Sequence, residues 1–154
     1  MRKWIYRSKE ITYLLNPAYC GKILYSVIKK YNEKSINKSF PFSLCYLVLP
    51  VMLWPKINEL TMPRKQLNKF ITENPELFFD FSKKAKSLVE ITNETIEFLL
   101  SGKILSLNED SSLSCNEILS FKNDLISKKA ESFGLLLSNS GSDNVIYLLF
   151  GVRP

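Results

Sequence analysis

Residues 74–102, NPELFFDFSKKAKSLVEITNETIEFLLSG, decide how the rest of this sequence is read. Asn74 is a helix-capping residue, Pro75 belongs in a first helical turn, Glu76 and Asp80 suit the positive end of a helix, and Gly102 is placed to stop one. Between these signals Leu77, Phe81, Ala85, Leu88, Val89, Thr92, Ile96, Leu99 and Leu100 recur at steps of three and four. That spacing predicts one apolar stripe along a helix of roughly 40 Å at 1.5 Å per residue. Such a helix needs neighbours to cover its stripe, and the segments on either side are apolar enough to do so.

The composition favours a single, mainly helical domain. With 154 residues, 45% of them hydrophobic, residues 1–154 have the bulk for one real core. Five glycines leave little material for the tight turns of an all-β protein. Cys20, Cys45 and Cys115 are odd in number, far apart and set among apolar neighbours, which reads as three small buried hydrophobes in a reducing compartment. The opening, Met1-Arg2-Lys3-Trp4, is basic, but Ile5-Tyr6-Arg7-Ser8-Lys9-Glu10 is no signal-peptide core, and a cytoplasmic location is expected.

Charge is unevenly distributed. Residues 1–70 hold 13 Lys or Arg against 3 acids, a balance of +10, and residues 71–154 hold 8 against 12, a balance of −4. A basic half suits nucleic acid or an acidic partner, and it equally suits a plain solvated surface, since the lysines are scattered and form no tail.

Upstream of the long helix, residues 1–15 mix aromatic, basic and aliphatic side chains and admit either a strand or an extended lead-in. Asn16 and Pro17 form a second cap and first-turn pair, opening a helix that runs to about Asn32 with Ile23, Leu24, Val27, Ile28 and Tyr31 inward. After a polar connection, residues 42–54 are the most hydrophobic run. It is shorter than the about 20 residues that span a bilayer, and Pro50 interrupts it, so a core helix and no membrane contact are expected. Residues 63–71 predict a short amphipathic helix with Leu67, Phe70 and Ile71 inward.

Downstream, residues 104–115 alternate apolar and polar around a polar loop, as a small hairpin does. Helix, helix, hairpin is the order of a winged helix, and the expected fold is a mainly α, winged-helix-like domain with a small β-hairpin and one long central helix. Residues 120–138 predict another helix, and residues 143–150 a closing apolar helix that docks on the core or on a partner.

Catalytic patterns are missing. The sequence has no histidine, which excludes histidine-based acid–base, nucleophilic and metal chemistry. No glycine-rich phosphate loop occurs, and the cysteines lack paired zinc spacing. Glu90, Glu94 and Glu97 are spaced for one side of a helix, an arrangement open to a divalent cation but read here as a solvated acidic face. No catalytic residue, metal or cofactor is therefore expected. Arg64, Lys65 and Lys69 are candidate phosphate contacts ahead of the long helix, with Lys83 and Lys84 within it, against the plainer reading of a solvated face.

Five segments carry a resemblance: Asn16-Pro17-Ala18-Tyr19-Cys20-Gly21, Phe40-Pro41-Phe42, Leu47-Val48-Leu49-Pro50, Asn74-Pro75-Glu76-Leu77 and Phe150-Gly151-Val152-Arg153-Pro154. Together they resemble the middle component of bacterial three-component ABC systems, defence loci related to the Lamassu type, over nearly the whole chain. The resemblance implies a non-enzymatic adaptor beside an SMC-like or Rad50-like ABC ATPase and a separate effector, often a nuclease. Asn16, Pro17, Phe150 and Arg153 are the candidate partner contacts, with closure of the fold as their alternative duty. The competing function is a winged-helix transcription regulator that places its second or third helix in the major groove. Leu77, Phe78 and Phe81 argue against it, because they put bulk where base-reading polar side chains are wanted.

Overall fold

The computed structural model describes residues 16–35, 39–116 and 124–152. The expected features of residues 1–15, the start of the helix predicted from residue 120, and Arg153 lie outside them.

The longest described helix is α1 (Pro17–Lys34). It starts where its cap predicts, with Asn16 Oδ1 accepting from the Ala18 amide at 2.7 Å and Pro17 in the first position. Ile23, Leu24, Val27 and Ile28 are fully buried, each worth gross about 1.5–3 kcal/mol before ordering entropy is subtracted. α7 (Leu125–Ser138) lies against α1. Its cap is Asp124, whose Oδ1 accepts from the Ser127 amide at 3.0 Å and whose carboxylate also pairs with the Lys22 ammonium of α1. Partial burial disfavours that charge. The Lys22 ammonium and the Ser127 amide outweigh it and hold the carboxyl down at about 2.

The two helices approach closely at Gly134. A Cβ placed there would lie 2.4 Å from the Val27 carbonyl oxygen and 3.2 Å from Lys30 Cβ. A glycine inside a helix costs about 1 kcal/mol relative to alanine, and here the missing side chain is what lets the backbones meet.

Between α1 and the hairpin run β1 (Phe40–Pro41), a 3-10 turn (Phe42–Leu44) and α2 (Cys45–Met52). α2 is the expected core helix: Leu47, Val48, Leu49 and Val51 are completely buried, and Pro50 sits inside it. α3 (Leu67–Glu73) begins later than predicted because Gln66 adopts a left-handed conformation, φ 68°, leaving residues 63–66 outside the helix. The Arg64 carbonyl instead accepts from Asn139 Nδ2 at 2.8 Å, tying that loop to the end of α7.

The single long helix is not formed. Its stretch is divided into α4 (Pro75–Phe78), α5 (Phe81–Ser87) and α6 (Val89–Ser101). Phe79 is extended, Asp80 is left-handed with φ 53°, and a second break falls at Leu88. Asn74 makes no N-cap bond either; its Nδ2 donates back to the Phe70 carbonyl at 2.7 Å and closes α3. The physical reason is tertiary. Breaking the helix brings Phe78 and Phe81 onto Phe150 of α8 (Asp143–Phe150), at ring-centroid distances of 5.5 and 5.1 Å, with Phe70 5.6 Å from Phe78. Lys84 holds the fold-back, donating through Nζ to the Leu77 carbonyl at 2.9 Å and the Glu76 carbonyl at 3.3 Å.

The predicted hairpin is present as β2 (Leu105–Leu107) and β3 (Ser112–Cys115), joined by β1 into an antiparallel sheet of order β1-β3-β2. The register pairs Phe40 with Leu113 and Leu107 with Leu113 across the two edges of β3. Asn32 of α1 clamps the sheet, donating to the Leu113 carbonyl at 3.0 Å and accepting from the Phe40 amide at 2.8 Å. The fold is thus mainly helical with one small three-stranded sheet.

Replacing Gly134 with alanine is expected to destabilise the protein by about 1–3 kcal/mol, because the gain in helix propensity is smaller than the cost of forcing α1 and α7 apart. Thermal unfolding of Gly134→Ala checks this; an unchanged or raised midpoint contradicts the close approach.

Candidate functional site

Three surfaces carry the charge and apolar exposure from which a function can be argued. The first is basic. Arg64 and Lys65 are exposed in the loop before α3, Lys69 is exposed on α3, and Lys83 is exposed on α5. They are not equivalent: Lys69 lies 3.9 Å from the Glu73 carboxylate one turn on, and half-buried Lys84 spends its ammonium on the carbonyls that end α4. Spacing alone places Lys83 and Lys84 side by side, but only Lys83 is directed to solvent.

The second surface is acidic and lies on the helix and hairpin that come next in the chain. α6 contains Glu90, Glu94 and Glu97 and no lysine or arginine. Glu90 and Glu97 are exposed, while Glu94 is buried, so the three do not share one open face as their spacing suggests. Among the described residues no group of three metal-capable side chains lies together. The hairpin tip carries exposed Glu109 and Asp110. Asp110 Oδ1 accepts from the Ser112 hydroxyl at 2.5 Å and the Ser112 amide at 3.1 Å, which lowers its pKa and keeps it charged.

The third surface is an apolar cleft of about 260 Å³ between α2, α5, α6 and α8. Tyr46 and Leu47 of α2, Ala85 and Lys86 of α5, Val89 of α6 and Tyr147 of α8 line it. Its walls are fixed by polar ties: Tyr46 OH donates to Asn93 Oδ1 at 2.5 Å, Tyr147 OH donates to the Ser43 carbonyl, and Ser43 Oγ donates to Asp143 Oδ2 at 2.8 Å. Burial pushes the Tyr147 phenol up to about 12, so it remains a donor. Nothing in the sequence pattern marks this cleft, because its walls come from four elements distant in the chain.

The candidate partner contacts fall in different settings. Asn16 is exposed and engaged in capping α1, and Pro17 is half-buried. Phe150 is 5% exposed within the aromatic cluster, so its ring serves the core. The neighbouring face of α8 is different: Val145 is 47% and Leu148 80% exposed. The thiols are unreactive in kind, since burial raises Cys20 to about 12 and Cys115 to about 11, and Cys45 higher still.

Compared with known protein families, residues 4–154 match the ABC-three component (ABC-3C) system Middle Component 3 family. The chain belongs to that family. No curated protein and no solved structure matches it. This middle component is therefore one part of a multi-component ABC system, and other components of that system are its partners. The match spans all five segments quoted for the resemblance, from Asn16-Pro17 to Arg153-Pro154.

The unequal duties of the adjacent lysines are measurable. Lys84→Met is expected to lower stability by about 1 kcal/mol, since two carbonyls lose a charged donor at a partly solvated site, while Lys83→Met stays within about 0.5 kcal/mol of the parent. Urea unfolding of the pair checks this, and equal midpoints contradict the assigned role of Lys84.

Proposed function

We propose that this middle component is a non-enzymatic adaptor that links an SMC-like or Rad50-like ABC ATPase to an effector subunit, an arrangement related to Lamassu defence. Membership in the three-component family supports it, and the observation that carries it from the structure is the charge of α6 and the hairpin tip. The element order, with β3 between β1 and β2 and α6 directly ahead of the hairpin, agrees with a winged-helix-like arrangement. In such an arrangement the helix before the hairpin and the hairpin tip face DNA. Here α6 presents exposed Glu90 and Glu97 and no cation, and the tip carries Glu109 and Asp110.

Phosphate backbones dominate the affinity of DNA-binding proteins and call for Lys and Arg at the contact. Acidic side chains at both recognition elements repel them. The same scaffold therefore supports docking on protein better than reading of sequence, which weakens the alternative of a transcription regulator. Arg64, Lys65, Lys69 and Lys83 lie on other elements, where they suit loose phosphate contact or an acidic protein surface.

The test is co-expression of the tagged chain with the products of its neighbouring genes, purification at moderate salt, and the mass of what elutes. A large ATPase recovered in fixed ratio is the expected result. Elution of the chain alone, as a monomer or dimer, overturns the adaptor role.

A further inference from the structure

We propose that the cleft between α2, α5, α6 and α8 is a docking site for one large apolar side chain of an acidic segment in a partner protein. The inference rests on the adaptor role and names the surface and the chemistry by which it is exercised.

Size selects the class of occupant. Small-molecule sites run to about 300–1,000 Å³ and include convergent polar groups, whereas this cleft holds about 260 Å³ and is lined chiefly by apolar atoms of Tyr46, Leu47, Ala85, Val89 and Tyr147. That space suits a single phenylalanine or leucine side chain inserted from outside. Interface energy concentrates in such anchors, seated in desolvated pockets and ringed by weaker contacts. Both tyrosine side chains in the walls are already hydrogen-bonded, Tyr46 to Asn93 and Tyr147 to Ser43, which reduces the ordering that insertion requires.

Charge selects the sign of the segment. Lys86 lines the cleft itself, and Lys83 lies one turn earlier on the same helix. Both are exposed, and neither forms an ion pair among the described residues, in contrast to Lys22, Lys56 and Lys69. Two ammonium groups with no ion pair among the described residues, at the mouth of an apolar cleft, favour carboxylates flanking the anchor and steer their approach.

The test uses the full chain co-expressed with the other components of its locus and compares the parent with Lys86→Glu, Val89→Glu and, away from the cleft, Lys103→Glu. Lys86 and Lys103 are exposed and Val89 is 38% exposed, and circular dichroism serves to check that each variant folds. We expect Lys86→Glu and Val89→Glu each to lower partner recovery at least tenfold, Lys103→Glu to leave it unchanged, and the parent's recovery to fall with added salt. If the parent retains its partner and both cleft variants do too, the cleft is not the docking site although the adaptor role stands. If only Val89→Glu loses the partner, the occupant is not acidic and the proposal fails in its chemistry. If the parent recovers no partner, the adaptor role and this proposal fall together.

Discussion

The contact on which the rest of the fold depends is the meeting of α1 and α7 at Gly134. Backbone lies on backbone there, with the Val27 carbonyl where any β-carbon of residue 134 would stand. Because that spacing is short, Ile23, Leu24, Val27 and Ile28 on one side and Ala130, Phe133 and Leu137 on the other are sealed from water. Lys22 and Asp124 fasten one end of the pair by charge, and Asn32 carries the other end of α1 to the sheet. α2, α6 and α8 are then laid onto a frame whose position is already set.

Much of this is legible from residue patterns, for reasons that are local. The Asn16-Pro17 cap, the periodic stripe of α1, the apolar run around α2, the alternation of the hairpin and the closing helix all depend on neighbours within a few positions. The break at Phe79 and Asp80 does not. Residues 75–101 read as continuous helix because Leu77, Phe81 and Ala85 keep helical spacing, and the contacts that accompany the interrupted form, Phe78 and Phe81 on the distant ring of Phe150 and Lys84 on the α4 carbonyls, are invisible to that pattern. Asn74 misleads in a related way: capping residues mark a boundary, and they do not say which of two helices they serve.

The candidate site is less legible. Lys83 and Lys84 are alike in sequence, and only the folded-back carbonyls of α4 distinguish a structural cation from a free one. Phe150, a candidate partner contact by sequence, stands in the core, while its neighbour Leu148 is the exposed residue. The apolar cleft is assembled from α2, α5, α6 and α8, so no single stretch announces it. The segregation of charge, basic before residue 70 and acidic after, is plain in the sequence. Three-dimensional placement adds to its meaning, because exposed acids lie on α6 and at the hairpin tip, the elements that the proposed winged-helix-like arrangement would turn toward DNA.

The central claim, the proposal that α6 and the hairpin tip serve protein and not base sequence, is tested most directly by titrating the purified chain onto labelled duplexes of random and selected sequence at two salt concentrations. The account predicts weak binding, no tighter than about 10⁻⁶ M at physiological salt, alike on all duplexes and steeply reduced by salt. Affinity of about 10⁻⁸ M or better for one sequence, at least about 10³-fold above the others, would contradict it.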